Sequence, residues 1–293
     1  MTDRPHGPPP HNRPSPPSAK APEGACDTHI HMLAAPDEFP LWDSRVEDPA
    51  PGPRFDDWLA LYRAHLDTLG MTRGVIVQSI FYGTNNDITI KTLRRMGPGF
   101  KGICLVTDQV TDAELDHLAE NNIAGLRLNY VHGGVLSWDG VRAMAPRLAD
   151  RGLHIQMLMN THKHMAKIAA DVAALPVPVC FDHIGWPDLS AGPSEPGFQT
   201  LCNLLSEGKA WVKLSGIYRL CKAPYTDADA HVAALVAANP KRCLWGSDWP
   251  HIMLADAQMP DAGSLLDAFY RAVPDPNLQK RILINNPAQL YRF

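Results

Sequence analysis

Two histidines separated by one residue, in Asp27-Thr28-His29-Ile30-His31, are the first side chains of this chain whose spacing suits chemistry. Side chains alternate along a β-strand, so His29 and His31 fall on one face. Far downstream, Phe181-Asp182-His183-Ile184-Gly185 and Leu244-Trp245-Gly246-Ser247-Asp248-Trp249-Pro250-His251 each end an apolar run with another candidate, His183 and Asp248. Three imidazoles and a carboxylate can hold one zinc ion and leave a coordination position open. They can also polarise a substrate oxygen while the carboxylate, ionised at neutral pH, draws a proton from water. For His29 and His31 alone, a solvated pair on an edge strand is the competing reading, and only convergence with the distant segments displaces it.

Convergence needs a scaffold. From Gly24 onward, short apolar runs alternate with longer amphipathic ones. Strands are predicted at 25–31, 74–78, 102–106, 125–128, 154–159, 177–182, 211–214 and 243–246. Helices are predicted near 54–69, 86–96, 111–121, 138–151, 161–174, 197–207, 226–239 and 261–272, with a last one near 275–284. Eight strands alternating with helices imply a parallel sheet, and the length suits a single (β/α)8 TIM barrel, which typically takes about 250 residues. A doubly wound open sheet would want a Gly-rich phosphate turn after an early strand, and none is present. Barrel active sites form at the carboxyl ends of strands. There strand 1 ends in His29 and His31, strand 6 in His183 and strand 8 in Asp248. The long loop 32–53 is a candidate lid or pocket wall. Asp27 and Asp182 are placed to support the histidines from behind. His154 begins strand 5 and faces the opposite mouth. His65, His117 and His231 lie on amphipathic helices and are expected to be solvated; His162 and His164 do not share a helical face.

Composition narrows the class. Of the 293 residues, 45% are hydrophobic and 20% charged, as in an ordinary globular protein, and the net charge of -4 gives no case for nucleic acid or an anionic membrane. No apolar run approaches the roughly 20 residues of a membrane span, and the start lacks a secretory h-region. The six cysteines have no CxxC spacing, and free thiols in a cytoplasmic protein are the expectation. Residues 1–23 are dominated by proline and lack an apolar period, so they read as a disordered, extended tail ahead of the 24–293 barrel domain. Nothing in the sequence sets an oligomeric state.

With these residues in order, the chain from Gly24 to Phe293 resembles the amidohydrolase superfamily, in particular its 2-pyrone-4,6-dicarboxylate lactonase-like branch. The resemblance rests on Gly24-Ala25-Cys26-Asp27-Thr28-His29-Ile30-His31, Val75-Ile76-Val77-Gln78 with Gly83-Thr84-Asn85-Asn86, and Gly125-Leu126-Arg127-Leu128-Asn129. It continues through Phe181 to Asp188, Trp245 to His251, and the terminal Asn286-Pro287 and Leu290-Tyr291. It implies a lactone hydrolase in which Asp248 is the general base, while His29, His31 and His183 polarise the lactone carbonyl directly or through a metal. It also implies a carboxylate-binding Arg127, with Arg219 a second anion-binding candidate. Tyr82, Thr84 and Asn86 are candidates for bonding substrate oxygens, Trp186 for stacking on a ring, and His251 for reaching the pocket or orienting Asp248.

The wider superfamily often adds a strand-4 Lys or Glu and a strand-5 His; strand 4 has neither here and the strand-5 His154 lies at the amino end, so a metal-free centre is the expectation and one zinc, held by His29, His31, His183 and Asp248, the alternative. The branch pattern also has arginines where this chain reads Tyr130-Val131-His132-Gly133-Gly134 and Trp186, and a tyrosine where Leu158 stands. Losing those partners argues against the pyrone dicarboxylate itself and favours another carboxylated lactone as the small-molecule partner. The rival readings are a zinc-dependent decarboxylase of an unsaturated acid, a lactone isomerase, and a barrel that binds a small acid without catalysis.

Overall fold

The structure, a computed structural model, describes residues 4–9, 13–131 and 133–293; His132 and parts of the proline-rich start lie outside them. Eight strands, β1 (Cys26–Ile30), β2 (Arg73–Val77), β3 (Phe100–Cys104), β4 (Ile123–Asn129), β5 (His154–Leu158), β6 (Val179–Phe181), β7 (Ala210–Leu214) and β8 (Cys243–Trp245), pair in parallel and in sequence order. The ring closes just past β8, where Asp248 N donates to His29 O at 2.9 Å and His31 N to Trp249 O at 2.8 Å. The predicted barrel is the observed fold, and the bonds that close it are made by the residues of the candidate site. Gly246 permits this approach, because a Cβ there would lie 2.7 Å from that of His29.

The helices α1 (Phe55–Leu69), α2 (Asp87–Met96), α3 (Asp112–Glu120), α4 (Trp138–Asp150), α5 (Thr161–Ala174), α6 (Pro196–Ser206), α7 (Asp229–Ala238) and α8 (Ala262–Ala272) follow the strands in turn. Their starts follow capping chemistry: Thr111 and Glu114 form a capping box on α3, and Ser137 and Asp261 cap α4 and α8. The helix predicted near 275–284 is instead a short helix, Pro276–Lys280, a π turn, Arg281–Asn285, and a second helix, Asn286–Tyr291. Pro287 has no N–H with which to continue a regular ladder.

Most apolar side chains pack between the strands and the helical layer. A smaller cluster joins Cys26, Val75, Ile103, Cys180, Trp211 and Leu244. Side chains from so many strands can meet only inside the barrel, so this cluster is its apolar floor. All six cysteines are unpaired.

Residues 13–23, expected as a disordered tail, lie along the outer wall. Ser15 N donates to Asp261, Ser18 N and Oγ donate to Asp267, and Ala21 N donates to Leu69 O, while Pro14, Pro17 and Ala21 are buried. Prolines arrive with φ already fixed, so docking such a segment loses little backbone entropy, and two α8 carboxylates reward it.

Candidate active site

Beyond the floor the barrel interior becomes polar. His29 and His31, from the end of β1, point into the mouth, and His183 follows β6. His29 Nε2 and His31 Nε2 lie 3.6 and 3.5 Å from Asp248 Oδ1, and His183 Nε2 lies 3.7 Å from Oδ2. All four side chains are buried. Gly216, with φ of 64°, makes room for the His183 ring: a Cβ there would lie 2.4 Å from its Nδ1. His183 and Asp248 themselves take left-handed backbone, φ 52° and 64°, a conformation that costs a non-glycine residue about 1–2 kcal/mol.

The two oxygens of Asp248 differ. Oδ2 accepts from Tyr218 OH at 2.7 Å and from Arg219 Nε at 3.0 Å, and pairs with Arg219 NH2 at 2.9 Å. Oδ1 is buried with no hydrogen-bond partner among the described residues. Burial alone would raise the Asp248 pKa, but Arg219 and the imidazoles outweigh it and hold the carboxyl well below its usual range. The result is an ionised carboxylate with one oxygen clamped and the other facing the imidazoles.

Each imidazole turns its far nitrogen toward a polar atom. His31 Nδ1 lies 2.8 Å from Val77 O, His29 Nδ1 lies 3.2 Å from Asp182 Oδ1, and His183 Nδ1 lies 3.0 Å from Ser215 Oγ. A carbonyl only accepts, so His31 Nδ1 carries the proton; the Asp182 carboxylate makes the same demand of His29. Burial lowers the pKa of all three rings, that of His183 to about 4, so they are neutral near pH 7. The Nε2 atoms of His29 and His31 then present lone pairs to the Asp248 carboxylate. Facing lone pairs repel, so the centre calls for one positive charge between them, a proton or a metal ion. Nδ1–H bonds to a carboxylate and a carbonyl are the usual setting of metal-ligating imidazoles. The ligand atoms of His29, His31 and Asp248 lie within 4.8 Å of one another, and His29 Nε2 and Asp248 Oδ1 are buried without hydrogen-bond partners among the described residues. The donor set therefore fits a zinc ion.

Between this mouth and the apolar floor lies a charged layer. Lys213, fully buried on β7, donates to Thr28 O at 2.7 Å and Gln156 Oε1 at 2.6 Å and lies 3.8 Å from Asp182 Oδ1. This all-acceptor surrounding suits an ammonium, although burial lowers its pKa. Burial opposes the Asp182 charge as well, but His29 and Lys213 win and hold that carboxyl far below its usual range. Arg127, buried at the mouth, donates to Gln78 O at 3.2 Å and lies 3.9 Å from Asp182 Oδ2. Behind β1, Asp27 accepts from Ser247 N at 2.9 Å and Ser247 Oγ at 2.5 Å and lies 3.2 Å from His65 Nε2.

The structure brings His31, His183, Asp248, Arg127, Arg219 and Trp186 around one pocket, and His29 meets that centre through Asp248 Oδ1. Arg219, expected to bind an anion, directs its guanidinium at Asp248 and at the carbonyls of Ile252 and Met253. Tyr82, Thr84 and Asn86 are elsewhere. The Tyr82 hydroxyl accepts from Ala34 N, and Asn86 clasps the Leu105 backbone, so both tie loops together. His251 stands edge-on to the Tyr218 ring at 5.2 Å, behind the pocket wall. Loop 32–53 packs over the β2 loop, where Trp42 N donates to Phe81 O, and meets the site loop where Glu47 accepts from Met253 N.

Two of the histidines expected to be solvated are buried. His65 meets Asp27, and His231 packs 4.8 Å from the Phe198 ring between α6 and α7. Helical periodicity locates a face without saying whether an imidazole on it finds an acceptor or an aromatic neighbour. Lys213 and Gln156 went unremarked in the sequence, although a lysine in Trp211-Val212-Lys213-Leu214 is conspicuous, since central strands of a parallel barrel are nearly all apolar. Tyr218, one residue before Arg219, had no signal of its own.

An ionised carboxylate facing an imidazole cluster lies at the carboxyl mouth of a TIM barrel, the face on which enzymes of this fold build their active sites. The chain belongs to the amidohydrolase family, whose model matches residues 26–293. It is 31% identical over 291 residues to the 2-pyrone-4,6-dicarboxylate hydrolase of Comamonas testosteroni, covering 95% of this chain and 93% of that protein. It is 33% identical over 293 residues to the 4-sulfomuconolactone hydrolase of Rhizobium radiobacter, covering 96% and 94%. A crystal structure of a probable 2-pyrone-4,6-dicarboxylic acid hydrolase from Acinetobacter baumannii, with citric acid bound, matches with a TM-score of 0.80 at 26% identity, over 92% of this chain and all of that one. These relatives are lactone hydrolases by name, and no described helix of this chain is long and apolar enough to cross a membrane.

Proposed function

We propose that this protein is a cytoplasmic hydrolase that opens a carboxylated lactone by attack of a water molecule, with Asp248 as general base. The observation that carries the reading is the asymmetry of Asp248, with Oδ2 clamped by Tyr218 and Arg219 and Oδ1 buried and facing His29 and His31. In the reaction the water oxygen bonds to the lactone carbonyl carbon and its proton passes to Asp248 Oδ1. The oxyanion that forms lies beside His183, whose Nε2 carries the ring proton when Ser215 Oγ donates to its Nδ1. Collapse breaks the bond between acyl carbon and ring oxygen, and the departing alkoxide takes the proton from Asp248. The product is a hydroxy acid, and Asp248 is again ionised. One preorganised donor of this kind supplies on the order of 3–4 kcal/mol toward the barrier.

Arg127 supports the carboxylate part of the reading. It is buried at the rim, one guanidinium nitrogen is held by Gln78 O, and the group lines the pocket. A planar fork of this kind suits a carboxylate. The positive charge that the rim calls for is a shared proton or a zinc ion, and the donor set favours zinc, held by His29, His31 and Asp248 with His183 beside them. When bound, zinc supplies Lewis-acid polarisation of a carbonyl and acidifies water.

The test is turnover of pyrone, muconolactone and aldarolactone substrates by the native protein and by Asp248→Asn. The native protein should open at least one of them, and the variant should lose it by 100-fold or more, since general-base catalysis contributes about 10²–10⁴. Near-native turnover by the folded variant would overturn the assignment of the base.

A further inference from the structure

The pocket that touches Asp248 is small. Its cavity measures about 30 Å³, room for a water or two but not for a lactone ring. Beside it, between the Tyr218–Tyr225 and Met253–Ser264 segments, opens a cleft of about 590 Å³. Trp186, Arg219 and Met253 line both spaces, so the two share one wall. Most of any substrate that reaches Asp248 must therefore sit outside the floor, and the cleft is the adjoining volume.

Its chemistry differs from that of the floor. Beyond the shared residues its wall carries Leu220, Tyr225, Leu254 and Met259, with Lys222 and Asp256 exposed at the rim. At the neck, Arg219 spends one N–H each on Asp248, Ile252 O and Met253 O, and its NH2 also lies 2.9 Å from the Asp248 carboxylate. What it offers a ligand is chiefly its flat face, 4.9 Å from the Tyr218 ring centre and 6.0 Å from that of Trp186. A neck of stacked planar groups leading into an apolar wall admits an aryl or alkyl group and gives a second anion little to bond.

We propose that this cleft is a second subsite, which takes an apolar arm, aryl or alkyl and up to about phenyl size, carried on the lactone ring. The proposal rests on the lactonase reading of the site. It makes the substrate bipolar, with a carboxylate toward Arg127, the lactone carbonyl at the imidazole rim and the arm in the cleft.

The test reads binding rather than turnover. 4-Hydroxy-4-phenylbutanoate and 4-hydroxypentanoate, ring-opened acids that differ in a phenyl against a methyl arm, are titrated calorimetrically into the native protein. The same titrations are run on Met259→Trp and Ser264→Phe, two variants that fill the cleft, each checked for a native-like thermal transition. The native protein should bind the phenyl acid at least about tenfold more tightly, a factor equal to about 1.4 kcal/mol and modest for burying a ring. Filling the cleft should cut that preference to about threefold or less. Equal affinity in the native protein, including no measurable binding of either acid, overturns the proposal; so does a tenfold preference that survives in both variants. A protein that prefers the phenyl acid but opens no lactone keeps the subsite and loses the lactonase reading, so the two failures are distinguishable.

Discussion

Lys213 offers the sharpest test of how the site is held together, because it is a fully buried cation that touches no solvent and lies one layer below the candidate chemistry. In Lys213→Met the side-chain volume is nearly kept while the charge goes. Two hydrogen bonds are lost, to Thr28 O at 2.7 Å and Gln156 Oε1 at 2.6 Å, each of a kind that contributes about 1.5–3 kcal/mol when one partner is charged. Asp182 is left buried, with Arg127 at 3.9 Å as its remaining full positive charge. Against these losses stands relief from desolvating the ammonium. Removing one member of a buried pair costs about 3–5 kcal/mol on balance. At about 2 °C per kcal/mol, the low end for large domains, the thermal midpoint should fall by roughly 6–10 °C. The assay is thermal unfolding at pH 7 followed by circular dichroism, run also on Asp182→Asn and on the double variant. The double variant should be less destabilised than the sum of the singles, because the second change removes the carboxylate that the first leaves uncompensated. A midpoint within about 2 °C of native for Lys213→Met, or strict additivity, would refute the reasoning.

Acid should destabilise the fold in two stages. Unfolded histidines titrate near 6.5, whereas burial holds His183 at about 4 and His29 and His31 below their usual value. Between those limits the unfolded chain binds more protons, so the melting temperature should fall from pH 7 to pH 5. The depressed carboxylates Asp182 and Asp248 add stability that is complete above about pH 4 and lost below it; a melting temperature flat between pH 7 and pH 5 contradicts the neutral buried imidazoles. Protein purified without chelator should carry close to one zinc per chain by elemental analysis, with activity lost on its removal and regained on its return. Undiminished turnover by metal-free protein would instead assign the central positive charge to a proton.

The parts of this account that were legible in the sequence are those tied to the strands. The apolar runs place eight strands, and the rule that barrel sites sit at carboxyl ends then gathers His29, His31, His183 and Asp248 from far-apart positions. The same logic finds Arg127 and Trp186. It also points to Tyr82 and Asn86, which follow a strand but are bonded to the backbone of Ala34 and Leu105, and to Thr84, which does not line the pocket at Asp248. Arg219 was found, but the partner that fixes its guanidinium is Asp248, a contact set by the β7 and β8 loops and invisible to spacing. Lys213 and His65 were hidden for another reason: one needs Gln156 and Asp182 from neighbouring strands, the other Asp27 across the helical layer. Burial of a polar side chain is decided by partners distant in sequence, and periodicity carries no information about them. The proline-rich segment fails similarly, since its acceptors, Asp261 and Asp267, belong to the last barrel helix.

The central claim is that Asp248 delivers water to a lactone carbonyl, and isotopic oxygen tests it directly. A lactone substrate is turned over in H₂¹⁸O and the product is examined by mass spectrometry. One ¹⁸O should appear in the newly formed carboxylate and none in the hydroxyl, with Asp248→Asn forming this labelled product at least 100-fold more slowly. Product formed without ¹⁸O would mean isomerisation in place of hydrolysis. Label in the hydroxyl would mean cleavage on the alkyl side of the ring oxygen, and either result would contradict the account.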